Sequence, residues 1–452
     1  MSENPSNLER IGSWVRQSLT LKLLSIGFLI LILLIPTMMI DSLIREREYR
    51  RNDTVREISN TWGNSQTIAG PVLTVPYKHY TIIEDTEKKT TKTVSITKYA
   101  HFLPNELVIK SNISPEIRYR GIYEAILYNA QLQLNGNFSS PNFDVLGIDP
   151  QNALWSEAFV SIGIPDMRGI QESIELKWDS GQYMFDPGIP VNEVFGSGVS
   201  VGIPLQDTVE VNIPHIFSLN ININGSESLS FMPLGKETTL AMQSNWGSPS
   251  FNGAFLPDER NITKDGFTAN WKVLHLNRNY PQQWLGNSHD IAQSQFGLSL
   301  LRPLDEYQKN ERSVKYAIMF ICLTFLLFFF VEILNSTRIH PLQYLLVGLS
   351  ICVFYLLLLS FSEQIGFNKA YMIASTGVIL LITIYSKSVL KNNFLTIVMF
   401  GTLVGLYGFL YSLLQLQDYA LLMGSVGLFV ILAVVMYLSR NIDWYTIGKR
   451  QK

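Results

Sequence analysis

Between Tyr316 and Ser439 only seven side chains carry charge: Glu332, Arg338, Glu363, Lys369, Lys387, Lys391 and Asp418. A stretch this poor in charge and this rich in leucine, isoleucine and phenylalanine is built for a lipid solvent rather than for water. Apolar runs of bilayer-spanning length recur in it at Tyr316 to Leu334, Leu342 to Phe361, Ala370 to Ser386, Phe394 to Leu416 and Tyr419 to Ser439. These predict a five-helix bundle over 314–439. A further span is predicted at 23–40, apolar apart from Ser25 and Thr37, with Pro36 as a kink toward its far end. Arg10, Arg16 and Lys22 form a positive leader ahead of it, but Met38-Met39-Ile40-Asp41-Ser42 offers no small-x-small cleavage site. It therefore reads as an uncleaved anchor.

Basic residues set the orientation. The leader (1–22) and the tail (440–452), with Arg440, Lys449, Arg450 and Lys452, both read as cytoplasmic. With six spans, Arg338, Lys387 and Lys391 also fall inside, and the long segment after the first span falls outside. The exception is Arg45, Arg47, Arg50 and Arg51, which the same count puts outside. They are interleaved with Glu46 and Glu48 and open a very long loop, where the charge rule weakens.

The outer segment opens with Val55, Ile58, Trp62 and Ala69 at helical spacing and meets Gly70-Pro71, which predicts a helical stalk over 41–70. From Pro71 the period changes to two, as in Leu107-Val108-Ile109-Lys110, Gln131-Leu132-Gln133-Leu134 and Phe217 to Ile223. Turn signals punctuate the runs at Asn135-Gly136-Asn137, Asp186-Pro187-Gly188, Asn224-Gly225-Ser226 and Lys264-Asp265-Gly266. Gly136 to Asp149 reads as an insertion loop, and Glu84 to Lys92 as an exposed hairpin tip. The expectation is a β-sandwich over 71–313. The whole chain is thus predicted to be an α+β membrane protein, with an anchor helix, a large extracytoplasmic all-β, sandwich-like domain and a five-helix C-terminal transmembrane bundle.

Several function classes lose support. A formal net charge of −2 gives no basic footprint for nucleic acid. The two cysteines, Cys322 and Cys352, lie in predicted spans, so no disulfide framework is expected outside. The six histidines (His79, His101, His215, His275, His289, His340) have no metal-ligand spacing and read as surface or satisfied polar residues. Gly198-Val199-Ser200-Val201-Gly202 matches the nucleophile-elbow pattern by letter, but a strand-like run into Pro204 lacks the strand, turn and helix that present such a serine. No catalytic, cofactor or metal residue is assigned. Glu332 and Glu363 stand out as charges near bilayer depth, where a charge is functional or paired. Gly401 and Gly405, with Gly424 and Gly427, are explained by close helix packing.

A set of local motifs carries a resemblance over nearly the whole chain. Trp62 with Gln66 and Gly70-Pro71 forms the first, and Arg120-Gly121-Ile122-Tyr123 the next. Asp166-Met167-Arg168-Gly169-Ile170 and Trp246-Gly247-Ser248-Pro249-Ser250-Phe251 follow, and Phe255-Leu256-Pro257 comes soon after. In the membrane part the motifs are Glu332, His340-Pro341-Leu342-Gln343-Tyr344, Ser362-Glu363, Asp418-Tyr419-Ala420 and Arg440 to Trp444. In these the chain resembles the CreD family of cell-envelope-integrity inner-membrane proteins of Gram-negative bacteria. It departs from the family's pattern at Gly247, where a bulkier residue is usual, and at Gln364, where histidine is frequent. The resemblance implies a periplasmic outer domain and a part in envelope integrity, the envelope-stress and β-lactam response and colicin tolerance. It supplies no catalytic residues.

The leading expectation is therefore a non-enzymatic protein. Its motif residues would contact envelope proteins or precursors, and the lipid bilayer would be its other partner. The alternative is a carrier of a lipid or envelope precursor that uses Glu332 and Glu363.

Overall fold

The computed structural model describes residues 19–85, 90–205, 214–300, 306–335, 339–416 and 419–440. Asp418, the leader residues Arg10 and Arg16, the tip of the hairpin at 86–89 and the tail after Arg440 lie outside the described residues. The chain forms two compact units, Met1–Arg51 with Leu304–Lys452, and Asn52–Pro303. It is a membrane protein of the α+β class, with an apolar helix first, an all-β region next and a run of apolar helices last.

The first element, α1 (Leu19–Trp62), is one continuous helix of 44 residues with Pro36 inside it. Its C-terminal half holds itself together by charge, with Arg45 3.1 Å from Asp41 and Arg50 2.6 Å from Glu46 at i,i+4 spacing. The predicted stalk ends eight residues early. Gly63 adopts φ +144°, and a Cβ there would lie 2.7 Å from the Asn224 carbonyl oxygen, so the helix stops where only glycine fits. The chain then runs as a strand straight through Gly70-Pro71. Ile68, Ala69, Val72, Leu73 and Val75 are all almost fully buried, and this burial outweighs the helical spacing.

Seventeen strands follow in the described residues. The first nine are β1 (Gln66–Asp85), β2 (Thr90–Phe102), β3 (Glu106–Arg120), β4 (Tyr123–Phe138), β5 (Phe159–Gly163), β6 (Glu175–Trp178), β7 (Gly181–Met184), β8 (Asp186–Pro187) and β9 (Gly198–Gly202). The others are β10 (His215–Ser226), β11 (Ser228–Phe231), β12 (Glu237–Ser244), β13 (Pro249–Gly253), β14 (Glu259–Thr263), β15 (Gly266–Leu274), β16 (Gln283–Leu285) and β17 (Phe296–Leu300). One sheet has the order β13-β17-β11-β1-β5-β9-β8, with β2 joining β1 to β16; the other has the order β14-β15-β12-β3-β4-β10-β6-β7. Val72 and Val160 from the first sheet and Leu134, Leu219, Leu240 and Trp271 from the second belong to one buried core, so the two sheets make a sandwich.

Two predicted turns lie inside strands. Gly136 is paired with both Leu107 and Phe217, and Gly225 with Tyr128. A Cβ on Gly136 would fall 1.9 Å from the Glu106 carbonyl oxygen, and one on Gly225 would fall 2.3 Å from the Tyr128 hydroxyl. These glycines permit close approach rather than a reversal. The insertion loop accordingly begins after Phe138. Lys264-Asp265 does turn, between β14 and β15.

The helical unit continues with α2 (Glu306–Lys315), α3 (Ala317–Asn335), α4 (Pro341–Ile365), α5 (Phe367–Leu390), α6 (Asn393–Gln415) and α7 (Ala420–Ser439). The bend between α2 and α3 is 44°, so the predicted second span begins at a break. Among the described residues four helices are long and apolar enough to cross a bilayer, five if that bent pair is one span, and Leu421–Tyr437 is a shorter apolar helix. The packing expected of Gly401 and Gly405 is not found. Both are exposed, with nothing within 4 Å of an added Cβ, whereas Gly348 is closed in by Leu33 and Phe325 and Gly427 by Phe409.

Candidate functional site

Several of the residues singled out in the β-rich part converge where α1 gives way to β1. Trp62 donates from Nε1 to the Tyr128 carbonyl at 3.3 Å, and the Arg118 guanidinium lies 4.1 Å over its ring. Arg120, beside the Gly121 turn, pairs with Glu57 on α1 at 2.7 Å. Gln66, fully buried, donates from Nε2 to the carbonyls of Asp166 (2.9 Å) and Asn224 (3.2 Å).

Asp166 is the centre of this joint. Its carboxylate accepts from the Asn64 backbone N–H (3.0 Å), the Asn64 side-chain amide (2.9 Å), the Arg168 backbone N–H (3.2 Å) and, through both oxygens, the Arg168 guanidinium (2.8 and 2.7 Å). Those bonds, the guanidinium's first, hold its pKa down to about 2 against the opposing effect of burial. A carboxylate so fully occupied is a strut, not a proton acceptor. Gly169 completes the joint, because a Cβ there would lie 2.2 Å from the Asn224 carbonyl.

The charged residues of the helical unit form two belts. In one, Glu332 is 8% exposed and accepts from the Lys22 ammonium, the Tyr344 hydroxyl (3.1 Å) and the Ile339 backbone N–H (3.1 Å). In the other, Glu363 accepts from the Tyr307 hydroxyl at 3.0 Å and lies 3.9 Å from Arg47, while Arg45 lies 3.6 Å from Glu311. Asn310 donates to the Ser362 hydroxyl beside them at 2.8 Å. Lys22 and Arg45 both stand on α1, so at 1.5 Å per residue the belts are roughly 35 Å apart, enough to bracket a hydrocarbon core of about 30 Å.

A family model described as inner membrane protein CreD matches residues 18–445. Inner membrane protein CreD of Escherichia coli (strain K12) is 33% identical to the chain over 430 residues, 94% of each. The chain belongs to the CreD family.

In this CreD chain the remaining motif residues shape elements. His340 caps α4: its Nδ1 accepts from the Leu342 N–H at 3.2 Å, and Gln343 Oε1 accepts from the His340 N–H at 2.9 Å. The cap aims Tyr344 at Glu332. Pro249, Ser250 and Phe251 lie in β13 opposite Leu300, Ser299 and Leu298, and Phe251 meets Phe267 and Trp271 edge-on. Trp246 packs against the same core. Ser200 sits in β9, its hydroxyl donating to the Gly188 carbonyl at 2.8 Å, as the strand reading of that motif requires. His101 is fully buried between Thr74 and Glu193, each 3.0 Å away, and burial pushes its pKa below the ordinary value against the pull of Glu193.

Sequence spacing does not show Lys22, Arg47, Tyr307 and Asn64 as the partners of these carboxylates. Lys22 counted only toward orientation, although a lone cation at the edge of an apolar run is the natural counterpart of a lone Glu in another. Among the described residues no three His, Cys, Asp or Glu side chains are grouped to hold a metal.

Proposed function

We propose that this protein is an inner-membrane protein of six spans with both termini cytoplasmic and its β unit in the periplasm. It supports envelope integrity and the envelope-stress and β-lactam response by binding and coupling rather than by catalysis. The observation that carries this is α1, a single helix that begins in one charged belt, passes through the other and ends at the Asp166 joint of the β unit. Such an element serves to transmit position, and the motif residues Trp62, Gln66, Arg120, Asp166, Arg168 and Gly169 are gathered at its end. The basic cluster that breaks the charge rule has its own partners in Glu311 and Glu363, which supports leaving it outside.

A carrier built on Glu332 and Glu363 is the second reading, favoured by the buried Asn310, whose Oδ1 has no partner among the described residues. The two carboxylates stand in separate belts, which argues against a relay between them. The deciding experiment is envelope permeability to a large antibiotic in a strain lacking the protein. It is complemented either by the full chain or by the β unit carried on α1. Rescue by the anchored β unit is expected; rescue by the full chain alone, at equal abundance, favours the carrier.

A further inference from the structure

The outward face of the second sheet is composed of carboxamides to an extent that ordinary solvation does not explain. In register across six strands stand Asn261, Thr268, Gln243, Asn112, Gln131 and Asn222. The next row holds Asn270, Ala241, Lys110, Gln133 and Asn220. Strands disfavour asparagine, and a polar outward face does not by itself require carboxamides at five of the six positions of one row. With neighbouring strands ~4.8 Å apart, the first row runs for roughly 24 Å.

Part of the row is engaged, since Gln243 donates to Asn112 at 3.5 Å and Asn222 accepts from Asn129 at 2.7 Å and donates to Glu172 at 3.0 Å, but four of the amides are free. Gln131, Gln133, Asn220 and Asn270 are exposed, and their side chains have no hydrogen-bond partner among the described residues. Two adjoining depressions, of about 350 and 360 Å³, open on this face and share Asn112, Gln243 and Thr268 in their walls.

We propose that this face is a binding platform for a neutral glycan strand bearing hydroxyl and acetamido groups. Each carboxamide presents two donors and an acceptor, which matches a hydroxyl, able to give and take, and an acetamido group, which carries one of each. A row of such groups at regular spacing suits a polymer whose polar groups also repeat. Charge selects against other polymers. Lys110 is the single ionisable side chain in the walls of the first depression, too little for a polyanion, whose recognition rests on clustered cations. The face also lacks the exposed apolar patch that a lipid surface or a partner helix would need. Each hydrogen bond made in water contributes little, so binding has to build along the strand and strengthen with its length.

This inference deepens the proposed function, resting on a β unit that meets envelope material. Its test is made on the full chain in nanodiscs, with chitin oligosaccharides of two and six sugars as probes and heparin as the charged control. The hexamer is expected to bind at least about tenfold more tightly than the dimer, and heparin no better than the dimer. Asn112→Ala/Gln131→Ala/Gln243→Ala is expected to weaken hexamer binding at least about tenfold with an unchanged melting temperature. Gln131→Leu, a single exposed change, is the variant to use if the triple one melts early, and a severalfold loss is expected of it.

No saturable binding of the hexamer, equal binding by the variants, or tighter binding of heparin would each overturn the proposal. Because binding is read on purified protein, its failure stands apart from a failure of permeability rescue, which tests the function proposed above.

Discussion

Asp166 and Glu332 are carboxylates whose surroundings, rather than their exposure to a ligand, account for their presence. Asp166→Ala strands the Asn64 N–H donors and is expected to cost the β unit about 2 kcal/mol, read as a lower urea midpoint by tryptophan fluorescence. Its folded pKa, about 2, is below the unfolded value near 3.9, so the unfolded chain binds the proton first. The stability it gives is present above about pH 4 and lost as pH falls through about 2. His101 adds acid lability in the same direction, since its depressed pKa makes stability decline below the ordinary imidazole value near 6.5. Melting curves of the full chain against pH should show both windows, and Asp166→Asn should abolish the lower one.

At the other site, Glu332→Leu leaves the Lys22 ammonium without its carboxylate and should cost about 3 kcal/mol. Adding Lys22→Met should restore most of that loss. Strictly additive losses in detergent melts would mean the two residues are uncoupled. Glu332 was legible in the sequence because a charge in an apolar run draws notice. Its partner was not, because 310 residues separate the pair.

Elements are legible in the sequence where one face is buried, and ambiguous where a glycine can serve either a turn or a close approach. Period-two runs such as Leu107 to Lys110 and Phe217 to Ile223 are strands, since alternation records a sheet with one side in the core. Gly136 and Gly225 look like turns locally and act as close-approach positions, which depends on Glu106, Phe217 and Tyr128 across the strands. The same argument separates two glycines by experiment. Gly169→Ala drives a Cβ into the Asn224 carbonyl and should destabilise the β unit by about 2 kcal/mol. Gly401→Ala, with open space around it, should stay within about 0.5 kcal/mol of the parent by melting temperature.

For the whole molecule, the proposed orientation is tested by labelling introduced cysteines with a membrane-impermeant maleimide. The background is small, since Cys352 is buried and Cys322 only partly exposed. Asn287→Cys, exposed in the β unit, should label in cells with an intact inner membrane, and Lys387→Cys should label only after permeabilisation. The reverse pattern would invert the topology.

What the sequence by itself determined at this scale is the division of solvents. Apolar length marks lipid-facing helices, alternation marks a half-buried sheet, and both are properties of consecutive residues. What only the tertiary structure decided is the pairing of distant polar groups: Lys22 with Glu332, Arg47 with Glu363, and Gln66 and Asn64 around Asp166. A buried polar group must find a partner, but the partner's position along the chain is free, so the fold alone selects it.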